Sequence, residues 1–301
     1  MARTVPPAVL SIAGSDSGGG AGIQADLKAF AHAGVHGMTA ITALTAQNTV
    51  GVTAIHPVPP EFIVEQVRAV SDDIEIAAVK IGMLGTKTIV EAVSAALDLL
   101  PPGTPIVIDP VMVSESGAVL LDDEARKAIV EHLLPRATVI TPNLPEARVL
   151  AGGTEDEPSN WKATGDPSDD VTDLARALHA LGPANVVITG GHRNEIVDVF
   201  FDGIDFHTLT GEKHPDGAAH GSGCTHSSTL AAHLALGATP LEAANHARRA
   251  ASDAVRHGLR HIGSGAGPVD VLNIAVRGLT ARQLGATKPK EHISARDIMR
   301  P

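Results

Sequence analysis

The residues best suited to chemistry lie in the glycine-rich segment 218–228, which holds the only cysteine of the chain. Gly221 and Gly223 flank Ser222, and Cys224 follows them directly. Small and apolar residues then recur at helical spacing, which predicts a glycine turn that opens a buried helix. The first N–H groups of a helix have no partner within the helix, so this turn is a candidate anion site, most often for phosphate. From these residues alone, an ordinary tight turn is an equally good interpretation.

Composition and charge limit the ligands that such a turn could serve. The 301 residues are 44% hydrophobic but include no Tyr, one Trp and five Phe, and the formal net charge is −11. Negative charge and scarce aromatic side chains argue against nucleic acid as a partner. A single cysteine excludes an internal disulfide, and no apolar run reaches the roughly 18 residues of a membrane span. We therefore expect a cytoplasmic protein without a signal peptide, and with a small-molecule ligand.

The elements that must position the turn alternate between strands and helices along most of the chain. Apolar runs at residues 8–14, 76–82 and 105–108 predict buried strands, and helical stretches follow them. This alternation favours a three-layer α/β fold, with a mostly parallel central sheet flanked by helices. A hairpin is predicted within residues 195–209.

Polar residues and glycines stand where several of these strands end. Gly82, Asp109, Asn143 and Gly190 occupy such positions. In open α/β sheets, ligands bind beyond the carboxyl ends of the strands. Each residue alone is more simply a turn former, but their joint placement indicates a site.

Two segments depart from the alternation. Residues 152–170 are acidic and contain Trp161, and we interpret them as a mobile excursion, with the next helix beginning at Asp173. We predict one domain over residues 1–280, followed by a C-terminal tail over residues 281–301.

Six segments of the chain resemble, in order, the hydroxymethylpyrimidine/phosphomethylpyrimidine kinase family of the ribokinase superfamily. They include AGSDSGGGAGIQADLK at 13–28, TALTAQNT at 42–49, VKIGML at 79–84, DPVM at 109–112, TPNLPE at 141–146 and HGSGCT at 220–225. The resemblance implies a ribokinase-like fold, and without an extra strand pair between residues 14 and 38 we expect no separate lid domain. It also implies ATP-dependent phosphorylation of 4-amino-5-hydroxymethyl-2-methylpyrimidine, and then of its monophosphate, in thiamine biosynthesis, with Mg²⁺ and as a homodimer.

The resemblance assigns the glycine turn to the reacting phosphoryl group. The backbone N–H groups of Gly221, Ser222, Gly223 and Cys224 would hold that group and stabilise its developing charge. Cys224 would accept the proton of the substrate hydroxyl, and its place at a helix N-terminus predicts a lowered thiol pKa.

Other residues are assigned to the two substrates. Gln47 can donate and accept hydrogen bonds at an aminopyrimidine edge. Asp26 would accept from the exocyclic amine or orient the loop, and Met83 and Val111 would contact the ring. The full predicted substrate set is Gln47, Asp26, Ala21, Met83 and Val111.

ATP and Mg²⁺ are assigned to the strand ends. Asp109 and Glu146 are the predicted metal ligands, because carboxylates together with phosphate oxygens usually hold Mg²⁺. The predicted ATP and Mg²⁺ set is Asp109, Asn143, Glu146, Gly190, Gly191 and His220.

One departure from the family and two alternatives remain open. Thr189 stands where many members have a lysine that would approach the ATP phosphates, and His192 or Arg193 could compensate. A pyridoxal or pyridoxine kinase of the same branch is the main alternative, and a non-catalytic ligand-binding protein on this scaffold is the other. Loops at 114–119 and 211–219 are predicted to close the site.

Overall fold

A computed structural model describes residues 5–115, 117–153, 167–190, 196–215 and 217–277. The strands are β1 Ala8–Asp16, β2 His36–Gln47, β3 Val52–Pro57, β4 Ile76–Ile81, β5 Ile106–Ile108, β6 Val139–Ile140, β7 Val186–Ile188, β8 Ile196–Phe201 and β9 Phe206–Gly211. The helices are α1 Gly22–Ala33, α2 Pro60–Ser71, α3 Lys87–Leu97, α4 Asp123–Ala128, α5 Leu144–Leu150, α6 Pro167–His179, α7 Ser222–Ala235 and α8 Pro240–Arg256.

Across the described residues the strands form one nine-stranded sheet in the order β3-β2-β1-β4-β5-β6-β7-β8-β9. The strands from β2 to β7 in this order are parallel, whereas β3, β8 and β9 run antiparallel to their neighbours. The predicted mostly parallel sheet and the predicted hairpin, β8–β9, are therefore confirmed. After β1 the chain forms β2 on one side of β1 and later forms β4 on the other side of β1. The direction of strand order therefore reverses at β1. Ligands of open α/β sheets bind at such a reversal.

Helices cover both faces of the sheet and give the predicted three layers. Val9 and Val107 belong to one core cluster together with residues of α1, α7 and α8, whereas Leu10 and Ile108 belong to the opposite cluster together with residues of α2–α6. Successive strand residues point to opposite faces, so strands buried on both faces must be apolar throughout. This explains the continuous apolar runs of the sequence.

The local structure differs from the predictions in three places. Helix α6 begins at Pro167 rather than at Asp173. Pro at the first helical position is favourable, because the missing N–H would have no helical partner there. The sequence pattern also predicts one helix over residues 122–134, but the structure changes after α4 into a π-helical turn, Ile129–Leu133, and a 3-10 turn. The sequence pattern predicts a strand over residues 38–44, and the observed β2 is longer, since it begins at His36 and extends to Gln47.

Two further predictions concern the extent of the domain. Only α1 lies between β1 and β2, so the described residues contain no separate lid domain, as predicted. Most of the 152–170 excursion, including Trp161, and the whole tail over 281–301 lie outside the described residues, and the domain limit at 280 stays a prediction. Among the described helices, none is long and apolar enough to cross a membrane.

Candidate active site

A cavity of about 400 Å³ opens at the carboxyl ends of the parallel strands. Its lining includes Gln47 at the end of β2, Lys80 on β4, Asp109 after β5 and Asp198 on β8, together with the first turn of α7. Six strand spacings of roughly 4.8 Å separate β2 from β8, or about 29 Å. The cavity is therefore elongated along the sheet edge, and the glycine turn lies between its two ends.

The glycine turn before α7 packs directly on the glycine loop that follows β1. Gly221 has φ of 84°, and a Cβ at this position would overlap the carbonyl oxygen of Gly20. The ring of His220 lies against Gly20, where a Cβ would also overlap it. Two glycines are thus required where the backbones of distant segments meet.

Asp16 fastens these two loops together. Its carboxylate accepts hydrogen bonds from the backbone N–H groups of Gly18 (2.7 Å), Gly20 (2.9 Å) and Ala21 (2.8 Å). His220 Nε2 lies 3.2 Å from Asp16 Oδ2. Burial acts to raise the pKa of Asp16, but the hydrogen bonds from His220, Ala21 and Gly18 prevail and lower it. His220, predicted beside the phosphates, does line the cavity, and its ring is engaged by Asp16.

Cys224 lines the cavity as the third residue of α7, but its predicted low pKa is wrong. Burial raises the pKa of the Cys224 thiol to about 12. The positive charge of Lys80 and a hydrogen bond from the Gly22 backbone act in the opposite direction, while Asp109 and Asp26 raise the pKa further. Desolvation and two neighbouring carboxylates therefore outweigh Lys80 and the Gly22 hydrogen bond, and the thiol is protonated at neutral pH in this state.

Beneath Cys224 lies a buried charge network centred on Lys80. Lys80 Nζ is 2.9 and 3.1 Å from the two oxygens of Asp26, and 3.9 Å from Asp109 Oδ2. Ser11 and Ser228 each donate a hydrogen bond of 2.6 Å to Asp26. Asp26 is fully buried and is not among the cavity-lining residues, so the expected contact with the substrate amine is corrected. Its carboxylate instead holds Lys80, α1 and α7 in place.

Asp109 reaches the cavity from the end of β5, with its orientation fixed by α7. Ser227 Oγ donates a 2.9 Å hydrogen bond to Asp109 Oδ2. Burial raises the pKa of Asp109. Lys80 and Ser227 act to lower this pKa and Asp26 acts to raise it, and the overall result is an increase. A positive ligand beside Asp109 would favour its charged form.

Glu146 reaches the same cavity through a capping box at the start of α5. Asn143 Oδ1 accepts from the Glu146 N–H, and Glu146 Oε2 accepts from the Asn143 N–H, each at 2.9 Å. Glu146 Oε1 also lies 3.4 Å from the Met112 nitrogen. No group of three or more His, Cys, Asp or Glu side chains could hold a metal within the described ranges. Two carboxylates, Asp109 and Glu146, fit Mg²⁺ when phosphate oxygens complete its coordination.

Four of the predicted pyrimidine contacts line the cavity. Gln47, Met83, Val111 and Ala21 all line it. Ser17 accepts from the Gln47 N–H at 2.8 Å and donates to its carbonyl at 2.7 Å, which fixes the backbone that carries the Gln47 carboxamide.

The opposite end of the cavity lies near β7 and β8. Thr189 lines it, but Gly190 does not, because its N–H donates to Asp198 Oδ1 at 2.9 Å and it packs against the backbone of β8. Gly191, His192 and Arg193 lie outside the described residues.

The sequence analysis missed several polar residues of the site. Lys80 left a signal, since a lysine in an apolar strand must find a buried partner. Asp16 lay inside a recognised segment without an assigned role. Asp198, His226 and Arg248 line the cavity as well, but they come from β8, α7 and α8, and no sequence spacing connects them.

A glycine turn at a helix N-terminus and two buried carboxylates, Asp109 and Glu146, at the carboxyl edge of a three-layer α/β fold are typical of a phosphotransferase. The phosphomethylpyrimidine kinase family model matches residues 16–270. The chain therefore belongs to the phosphomethylpyrimidine kinase family, as the sequence resemblance predicted, and its fold is ribokinase-like.

Individual relatives agree with this assignment. The chain is 46% identical over 270 residues to hydroxymethylpyrimidine/phosphomethylpyrimidine kinase of Haemophilus influenzae, covering 87% of this chain and 95% of that protein. It is 43% identical over 265 residues to the thiamine biosynthesis bifunctional protein ThiED of Geobacter sulfurreducens, covering 87% of this chain but only 51% of that protein. The structure of a Bacillus subtilis pyridoxal kinase in complex with ADP is similar, with a TM-score of 0.78, 37% identity, and 90% and 99% coverage.

Proposed function

We propose that this protein transfers the γ-phosphoryl group of ATP to 4-amino-5-hydroxymethyl-2-methylpyrimidine, and then transfers a second one to the resulting monophosphate. The observation that carries the proposal is the position of the first turn of α7. It faces one cavity that has Gln47 and Met83 at one end and Asp109 and Glu146 further along the sheet edge. The name of the similar H. influenzae kinase supports the same substrates, and the ADP bound to the similar B. subtilis kinase supports the use of ATP.

The acceptor binds at the β2 end in this proposal. The Gln47 carboxamide donates to a ring nitrogen and accepts from the exocyclic amine, while Met83 and Val111 contact the ring and its methyl group. Ala21 lines the cavity beside the glycine turn. This orientation directs the hydroxymethyl oxygen toward the N-terminus of α7.

The reaction itself is an in-line displacement at the γ-phosphorus. The hydroxymethyl oxygen forms a bond to phosphorus as the bond to the bridging oxygen of ADP breaks. The N–H groups of Gly221, Ser222, Gly223 and Cys224 stabilise the charge on the transferring group. Asp109 and Glu146 would hold Mg²⁺, which when bound neutralises negative charge on the nucleotide phosphates.

We assign the proton of the substrate hydroxyl to the Cys224 sulfur. The transfer requires the thiolate, whereas the thiol of the substrate-free protein is protonated, so Cys224 must first release its proton to solvent. Lys80 is then the adjacent counter-charge of the thiolate, which accepts the hydroxyl proton late, as the bond to phosphorus forms. The monophosphate presents an oxygen that is already ionised, so the second phosphorylation does not need this proton acceptor.

Replacing Cys224 with alanine tests this division. Loss of a general base typically reduces rates by about 10²–10⁴, so kcat/KM for the alcohol should fall at least about 100-fold and that for the monophosphate should change far less. Ser222→Ala, in the same turn, keeps the backbone donors and is the matched control. Undiminished turnover of the alcohol by Cys224→Ala would remove the role from Cys224.

A pyridoxal kinase is the second candidate, because the structure is similar to that of the B. subtilis pyridoxal kinase. Steady-state rates with the pyrimidine, its monophosphate and pyridoxal separate the two. A pyridoxal rate far above both pyrimidine rates would overturn the proposal. A homodimer, the Mg²⁺ requirement and action in the cytoplasm are part of the proposal as well.

A further inference from the structure

A buried histidine without a hydrogen-bond partner lines the β8 end of the cavity. His226 is 4% exposed, and within the described part of the chain neither ring nitrogen has a hydrogen-bond partner. Asp198 is a charged neighbour, with Oδ2 3.8 Å from His226 Nε2 and 3.4 Å from Arg248 Nε. Buried polar groups in native proteins are almost always hydrogen-bonded, so an exception that lines a cavity indicates a missing ligand.

The position of His226 identifies the part of the ligand that it would meet. It follows Cys224 by two residues on α7, and helical side chains tilt toward the helix N-terminus, where the phosphoryl cradle lies. Asp198, its neighbour, accepts from the N–H of Gly190, the residue after Thr189. His226 is therefore close to the end of β7, away from Gln47 and the pyrimidine end.

The chemistry of this corner allows a hydrogen bond from His226 to an anionic acceptor. Burial lowers the pKa of His226, Asp198 opposes this effect and Arg248 adds to it, so the ring is neutral at neutral pH. A neutral imidazole has one N–H to donate and one nitrogen to accept. Arg248 places a permanent positive charge beside it, which the Asp198 carboxylate at 3.4 Å from Arg248 Nε partly offsets, and Thr189 supplies no charge.

We propose that His226 donates a hydrogen bond to the polyphosphate of the nucleotide. Together with Arg248, it determines the affinity of the β8 end of the cavity for the nucleotide. This inference rests on the proposed kinase function. It also explains why an unpartnered imidazole is retained in the core, where its desolvation destabilises the substrate-free protein.

Calorimetric titration of ADP and of adenosine into the full chain and its His226→Leu variant tests the proposal. A hydrogen bond to a charged group corresponds to about a 10- to 100-fold change in affinity, so the variant should bind ADP that much more weakly and adenosine unchanged. Its melting temperature should rise, because leucine removes an unsatisfied buried polar group. His226→Gln should recover part of the ADP affinity. His233→Leu is the matched control, since His233 lies on the same helix, stacked on His246 outside the cavity.

The outcomes separate this inference from the kinase function. Wild-type protein that binds no ADP would overturn both. Equal ADP affinity in wild type and His226→Leu, or an equal loss for ADP and adenosine, would overturn the polyphosphate contact alone. Failure to phosphorylate the pyrimidine, with ADP binding that depends on His226, would overturn only the proposed acceptor.

Discussion

Replacing Lys80 with methionine should destabilise the protein strongly. Lys80 is fully buried and is bonded to both oxygens of Asp26 at 2.9 and 3.1 Å. Methionine keeps much of the side-chain volume, but it leaves the Asp26 charge in the core with only the hydroxyls of Ser11 and Ser228 as donors. Removing one partner of a buried ion pair typically costs about 3–5 kcal/mol. We expect a loss of that size in the free energy of unfolding.

Urea unfolding followed by circular dichroism measures the change. The double variant Lys80→Met/Asp26→Asn should regain a substantial part of the loss, because its buried site no longer holds an uncompensated charge. Lys127→Met is the control, since Lys127 forms a 2.7 Å pair with Glu124 on the surface and its loss should leave the midpoint unchanged. The reasoning would be refuted if the free energy of unfolding of Lys80→Met lay within about 1 kcal/mol of the wild-type value. It would also be refuted if the double variant were no more stable than Lys80→Met.

Three further predictions concern the loops and the metal site. Asp16→Asn should lower stability at pH 7 by about 1–2 kcal/mol. The pKa of Asp16 is lower in the folded than in the unfolded protein, so the ionised carboxylate contributes its full stability above the unfolded pKa. This stability is lost as the pH falls through the folded pKa, so the unfolding curves of wild type and Asp16→Asn should converge at acid pH. Glu146→Gln keeps an oxygen for the α5 cap but loses the charge, so the Mg²⁺ concentration for half-maximal rate should rise about tenfold; an unchanged requirement would exclude Glu146 as a ligand. ATP and pyrimidine together should protect the loops at 114–119 and 211–219 from limited proteolysis, and identical cleavage would contradict their closure.

The sequence predicted the sheet and its helices because both depend on local pattern. Strands buried on both faces are apolar throughout, and Asp109 and Asn143 stand where such runs stop. The placement of Gln47, Met83 and Cys224 in one cavity followed from the family resemblance.

The electrostatics of the site could not be predicted in this way. Asp26 was expected to face the substrate, and Cys224 was expected to have a lowered thiol pKa. The surroundings of Asp26 on α1 and of Cys224 on α7 both depend on Lys80, which lies on β4, and on how deeply all three side chains are buried. Desolvation and long-range pairing are properties of the assembled fold, whereas a motif records only which residue types are present.

The contact between Asp16 and His220 joins residues 204 positions apart in the chain. Contacts of such long range form slowly, because a large loop must close before they contribute any stability. The N-terminal glycine loop therefore has no counterpart to pack against until most of the polypeptide has been synthesised. A nascent chain shorter than about 220 residues would have the strands of the sheet but no phosphate cradle. Nucleotide is thus expected to bind only after the last parallel strand and α7 have assembled, and it could serve as a marker for completed folding.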